Sequence, residues 1–270
     1  MKTQLRASTA AVLAALALSV SAPTRATVVD LTVDGSDAIF LAGRTDLTIP
    51  AASAPWSSPT GLQRHGGPTP EEIQETFPSG LSVTAGDIVR VLDPAVGGIS
   101  FFNGYGAPWY GPDGNNADCS GTACSNLSSF GGISGYFGPE GALVGVFLDD
   151  AIPSSGAPAR LDFSTSVLGR DFLTLSPALG QVFYIGNGVT TGGVFQRFTA
   201  PTGATRVFFG IPDGFGFDGV PGAYDDNDGA YRIRVGINEE PSGVPEPATL
   251  ALLGLGLASL GAARLRRTVR

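Results

Sequence analysis

Ala230-Tyr231-Arg232-Ile233-Arg234-Val235 alternates strictly, with apolar residues on one side and arginine or small residues on the other. Side chains of a strand point to opposite faces in turn, so a period of two reads as a half-buried β-strand. Moving upstream, Thr205–Ile211 and Phe195–Thr199 repeat the pattern around an Ala200-Pro201-Thr202-Gly203 turn, and Gln181–Gly186 and Ala142–Leu148 read as core strands. Gly80–Val91 reads as two β runs around a turn, Val28–Val33 as the first strand, and Ala38–Ala42 as a second apolar element. Residues 44–79 are polar, with a short helix expected at Thr69–Gln74, where a hydroxyl cap precedes proline and two acids. Residues 103–135 read as one long loop with glycine-rich ends. Short strands separated by Gly/Pro turns predict an all-β fold, a β-sandwich of jelly-roll type, over residues 27–237.

The chain has 270 residues and a net charge of −8, with 39 Gly and 20 Pro. Past Lys2 there is no lysine, and this acidic balance excludes a nucleic-acid footprint. Two cysteines, Cys119 and Cys124, stand five positions apart in a Gly/Ser-rich stretch. In an exported chain this spacing predicts a local disulfide, and with His65 as the lone histidine a zinc site is not complete.

Both ends carry targeting signals. Lys2 and Arg6 precede an apolar run, Ala10–Val20, and small residues ending at Ala26, which reads as a Sec signal peptide over residues 1–26. At the other end, residues 238–243 read as a linker. Val244-Pro245-Glu246-Pro247 is followed by an uncharged run over 248–263 and then Arg264, Arg266, Arg267 and Arg270. As a helix that run would span ~24 Å, and terminal arginines can snorkel to make up the difference from the bilayer core. The positive-inside rule leaves the arginines in the cytoplasm and everything upstream outside. Proline on both sides of Glu246 keeps that segment extended and accessible.

These three parts in this order resemble the PEP-CTERM sorting signal of Gram-negative bacteria. The resemblance covers residues 244–267 and implies an exosortase, a membrane-embedded cysteine transpeptidase, as partner. It implies a transient inner-membrane anchor with the domain in the periplasm, then delivery to the cell surface or the extracellular polysaccharide matrix. Val244, Pro245, Glu246, Pro247 and the arginines are then recognition residues for another enzyme.

A second informative stretch runs from Pro212 to Gly229. It holds Asp213, Asp218, Asp225, Asp226, Asn227 and Asp228 and no basic residue. Carboxylates this close need solvent or a cation, and Ca²⁺ takes such hard oxygen donors, although the spacing is not that of an EF-hand. The segment Thr205–Val235 resembles the C-terminal part of the PA-I type galactophilic, calcium-dependent lectins. Their strand ending in Asp resembles Val207–Asp213, and their Pro-Gly-Thr-Tyr-Gly-Asn-Asn-Ser-Gly loop resembles Pro221–Gly229. Carried over by position, the resemblance implies Ca²⁺ bound by the side chains of Asp213, Asp226 and Asn227 and the carbonyl of Ala223, with a tyrosine carbonyl from Tyr105 or Tyr110. Residues 214–220 are an insertion relative to the lectins, so Asp218 competes with Asp213. The lectins' sugar-contacting histidine has no counterpart in Asn115-Asn116-Ala117-Asp118, so the resemblance carries calcium further than galactose.

Enzymatic chemistry is not expected. His65 has no Gly-x-Ser-x-Gly partner, and no pair of carboxylates is marked out for a cleft. Trp56 and Trp109 are the aromatic candidates for stacking on a sugar.

Overall fold

The computed structural model describes residues 26–49, 75–101, 109–115, 119, 124–154 and 156–241. The expected signal peptide, the short helix at 69–74, His65, Trp56, Tyr105 and the sorting tail lie outside the described residues. In chain order the strands are β1 (Thr27–Asp34), β2 (Gly80–Ser82), β3 (Ile88–Ser100), β4 (Cys124–Leu127), β5 (Tyr136–Pro139), β6 (Val144–Leu148), β7 (Thr174–Leu175), β8 (Val182–Tyr184), β9 (Arg197–Thr199), β10 (Arg206–Gly210), β11 (Asp218–Gly219) and β12 (Asp228–Ile237). Three 3-10 turns are the helical elements among the described residues, and none of those residues forms a helix long and apolar enough to cross a membrane.

One sheet has the order β1-β12-β3-β9-β7 and another the order β2-β10-β6-β8; a small third sheet is β11-β4-β5. The two larger sheets pack sandwich-fashion. Across the layers Phe183 of β8 stacks on Phe198 of β9 with centroids 5.0 Å apart, and within its own sheet Phe183 also stacks on Phe147 of β6 at 5.1 Å. Burying each such ring contributes about 2–3 kcal/mol, the main force closing the two layers. The alternating stretch lies in β12, at the interior of its sheet. Tyr231, Ile233 and Val235 are buried, while Arg232 and Arg234 face out. The Tyr231 hydroxyl reaches the carbonyls of Gly141, at 2.7 Å, and Gly111, at 2.9 Å, tying this strand to the chain before β6 and the chain after β3.

The apolar element read at Ala38–Ala42 takes the form of a fully buried 3-10 turn, Ile39–Leu41, because the chain is bent there by bridges from Ala38 to Ile211 and from Asp37 to Thr76. Two expectations need correction. β3 does not stop at Val91 but runs on to Ser100 through Pro94 and two glycines. Proline lacks the N–H that a ladder needs, and the β12–β3 register shifts between Arg232 and Val235, opposite the stretch from Val96 back to Val91 that holds Pro94. The expected loop at 103–135 contains β4, which begins at Cys124; a disulfide joins Cys124 to Cys119, whose Cα lies 4.9 Å away.

The first and last strands are direct partners. Thr27 faces Ile237, and Asp34 faces Ala230. Residues 238–240, expected as linker, are held against the sheet. Asn238 donates its N–H to Ile88 O at 2.8 Å and accepts the Ile88 N–H at 2.9 Å through Oδ1; its Nδ2 donates to Asp87 at 2.8 Å.

Candidate functional site

The acidic loop is a buried structure rather than a solvated turn. β10 ends at Gly210, and the chain continues through Ile211 into Asp213, which is 2% exposed. Tyr224 fixes this strand end from inside. Its hydroxyl donates to Ile211 O at 2.7 Å and accepts the Asp213 N–H at 3.1 Å. Gly222 N–H donates to Asp213 O at 3.0 Å, and Gly214 bridges to Pro221, so the two ends of the loop meet. Between them the insertion swings outward as a 3-10 turn, Phe215–Phe217, and β11.

That closure separates the two competing aspartates. Asp218 is exposed and accepts a hydrogen bond from Asn126 Nδ2 at 2.7 Å, on the edge of the small sheet. Asp213 instead faces a cavity of about 200 Å³ lined by Ala223, Asp226, Phe101, Gly214 and the insertion residues Phe215–Phe217. The chain then reaches Ala223, which adopts a left-handed conformation with φ 63° and ψ 22°. A residue with a Cβ is strained there by about 1–2 kcal/mol. This backbone reversal starts the 3-10 turn Tyr224–Asp226, in which all three residues are buried. Asn227 follows at 1% exposure; its Nδ2 donates to Gly35 O at 2.9 Å, which anchors the loop on the end of β1.

Two oxygens of this group stand out. Asp213 Oδ2 and Asn227 Oδ1 are buried and find no hydrogen-bond partner among the described residues. A buried polar atom left without a partner costs about 1–3 kcal/mol. Burial drives the Asp213 carboxyl well above the usual carboxylate range; the Asn227 side chain and the Gly214 N–H pull it back, and Asp226 and Asp225 push it further up. A bound cation would supply the missing partner to both oxygens and reverse that shift. Among the described residues no three His, Cys, Asp or Glu side chains form a metal-holding group. The set implied by the sequence has two carboxylates, with an amide oxygen and a backbone carbonyl completing it, a donor mix that Ca²⁺ accepts.

The remaining candidates fall as follows. The carbonyl of Tyr110 already accepts the Ile99 N–H at 3.0 Å and faces the Tyr231 hydroxyl at 3.2 Å, so it is committed to the fold. Asn115, in the region matching the lectins' histidine, donates Nδ2 to Glu140 Oε2 at 2.9 Å. Trp109 is exposed, and its indole lies against Gly98 and Gly229: a Cβ on Gly229 would come within 2.7 Å of it. The supports of the site escaped the sequence reading. Tyr224 and Gly35 act through a hydroxyl and a carbonyl, and Phe101 packs edge-on against Phe217 with centroids 5.1 Å apart. No local pattern marks these residues: Tyr224 acts across the loop on Ile211 and Asp213, 13 and 11 positions away, and the partners of Gly35 and Phe101 lie far off in sequence.

No curated protein and no solved structure matches the chain. Residues 243–267 match the PEP-CTERM protein-sorting motif, which implies an exported protein that is anchored in the membrane and then processed by an exosortase for delivery to the surface.

Proposed function

We propose that this protein is a surface-destined, calcium-dependent carbohydrate-binding module of the extracellular polysaccharide matrix, and not an enzyme. The observation that carries the proposal is the pair of buried oxygens, Asp213 Oδ2 and Asn227 Oδ1, without hydrogen-bond partners among the described residues and beside the strained Ala223. With Asp226 and the Ala223 carbonyl they would supply four oxygens to Ca²⁺, which takes six to eight. Sugar hydroxyls and water would fill the rest. The indole of Trp109 lies over Gly229, two positions from Asn227, within the same end of the sheet. The jelly-roll-like topology, the Sec signal peptide over 1–26, the span over 248–263 and the periplasmic stage belong to the same reading.

Calorimetry of the mature domain with Ca²⁺ tests the ion site. Asp226→Ala and Asn227→Ala should each abolish binding, and undiminished binding in both would remove the proposed site. A glycan array read with and without Ca²⁺ tests the sugar.

One observation favours a second reading, a structural matrix protein that keeps the ion and has lost the sugar. Asn115 is tied to Glu140 and is not free to replace the lectins' histidine. Calcium that raises the melting temperature, with no glycan retained on the array, would decide for that reading.

A further inference from the structure

The two ends of the described chain leave the sandwich at one pole. Thr27, next to the expected signal-peptide junction, pairs with Ile237, the last residue of β12. The same pole carries the turn Thr84–Asp87, which is bonded to Ala200 through Gly86 N–H and Asp87 O. Between these lies an open groove lined by Thr27, Ser82–Asp87 and Ile237. The candidate ion site sits at the other end of β12, beside Asp228. Nine strand steps separate the two poles, about 30 Å at ~3.3 Å per residue.

Beyond Ile237 the chain does not leave freely. Asn238 clamps onto Ile88 and Asp87 through both its backbone and its side chain. Arg90, 4% exposed, then grips the next two residues. Its guanidinium donates to Glu239 O at 2.5 Å and to Glu240 Oε1 at 2.6 Å. The matched sorting motif begins at residue 243. From the last gripped residue, Glu240, to Pro245 the extended chain reaches at most about 18 Å.

A membrane-embedded transpeptidase must therefore work within that distance of the folded domain. We infer that the pole formed by Thr27, the Thr84–Asp87 turn and the Asn238–Glu240 clamp is the surface that meets the exosortase, and that the acidic loop faces away from the membrane. The inference rests on the reading of residues 243–267 as a sorting signal. The clamp limits how far the domain can stand from the enzyme, so bulk added at this pole competes with the enzyme for space.

The test uses the full-length chain with exosortase in liposomes. Ala85→Cys and Val220→Cys each offer an exposed thiol, one on the near pole and one on the acidic-loop insertion, and each is coupled to a polyethylene glycol maleimide. Coupling at Ala85 should slow cleavage by about tenfold or more, because simultaneous engagement is sterically forbidden. Coupling at Val220 should leave the rate within about twofold of the uncoupled chain. A Gly/Ser spacer inserted after Ser242 should restore cleavage of the chain coupled at Ala85. Equal rates at the two positions, or no rescue by the spacer, would overturn the inference and leave the sorting signal standing. An uncoupled chain that is not cleaved at all would overturn the sorting reading, and the inference with it.

Discussion

The Tyr224 hydroxyl accepts the backbone N–H of Asp213 at 3.1 Å while donating to Ile211 O at 2.7 Å. One side chain thus sets the direction in which β10 delivers its terminal carboxylate. Both residues are buried, so water cannot replace the lost hydroxyl. Tyr224→Phe should destabilise the domain by about 1–3 kcal/mol, read by urea melts. The same substitution should weaken Ca²⁺ binding about tenfold, since a misaimed ligand loses roughly 1.4 kcal/mol. Calorimetry on the folded variant separates the two effects.

The insertion at 214–220 makes a sharp distinction between two aspartates. Asp213→Asn should reduce Ca²⁺ affinity by at least tenfold, about 1.4 kcal/mol or more. Asp218→Ala should leave it unchanged and remove only an exposed hydrogen bond to Asn126. The reverse outcome would show that the insertion folds back over the site.

Ala223 bears a strain that glycine would not. Ala223→Gly should stabilise the calcium-free domain by up to about 1 kcal/mol, the relief of the left-handed conformation less the entropy that glycine adds to the unfolded chain. Ala223→Val should destabilise it by more, because a β-branched residue fits that conformation poorly. Thermal melts of the two variants in chelator provide the comparison.

Asp37 gives the fold a pH dependence of known sign. Burial raises its carboxyl from 3.8 to about 6, against the hydrogen bonds from Thr76 and from the Asp34 N–H. The native state therefore holds more protons than the unfolded chain between those values. Stability falls as pH rises through that window, by about 2 kcal/mol once partial solvation is allowed for, and is flat with respect to Asp37 above it. Denaturant melts from about pH 4 to pH 7 should show this slope, reduced in Asp37→Asn. Burial also raises Glu140 and Asp213, which supply the remainder.

Removing the disulfide with Cys119→Ser/Cys124→Ser should cost about 2 kcal/mol, the loop-closure value for a ring this short. Chemical reduction should give the same loss.

The β12 strand was legible because its environment is two-faced: one side meets the core and the other meets water, so burial writes a period of two into the residues. β3 was half legible. Its first part follows the pattern, but Asp93-Pro94 and Gly97-Gly98 carry turn chemistry, and a bulged ladder absorbs them without ending the strand. Cys124–Leu127 gave no signal because its partners among the described residues, β5 and β11, are short, and its neighbours are turn residues. The proposed ligand residues of the acidic loop stand out in composition and in the resemblance. Their burial is not legible there, because it depends on Tyr224 folding back on Ile211 and on Asn227 reaching Gly35, and the second contact exists only after β1 and β12 have met.

That meeting sets an order of assembly. β12 lies between β1 and β3, so the largest sheet stays open along its middle until the last strand of the domain arrives. The first strand has no partner in that sheet until then. Contacts of such long sequence separation form late and slowly. On the proposed Sec route this delay would keep the chain threadable while it crosses the membrane, and the sheet would lock only when the residues next to the sorting motif have emerged.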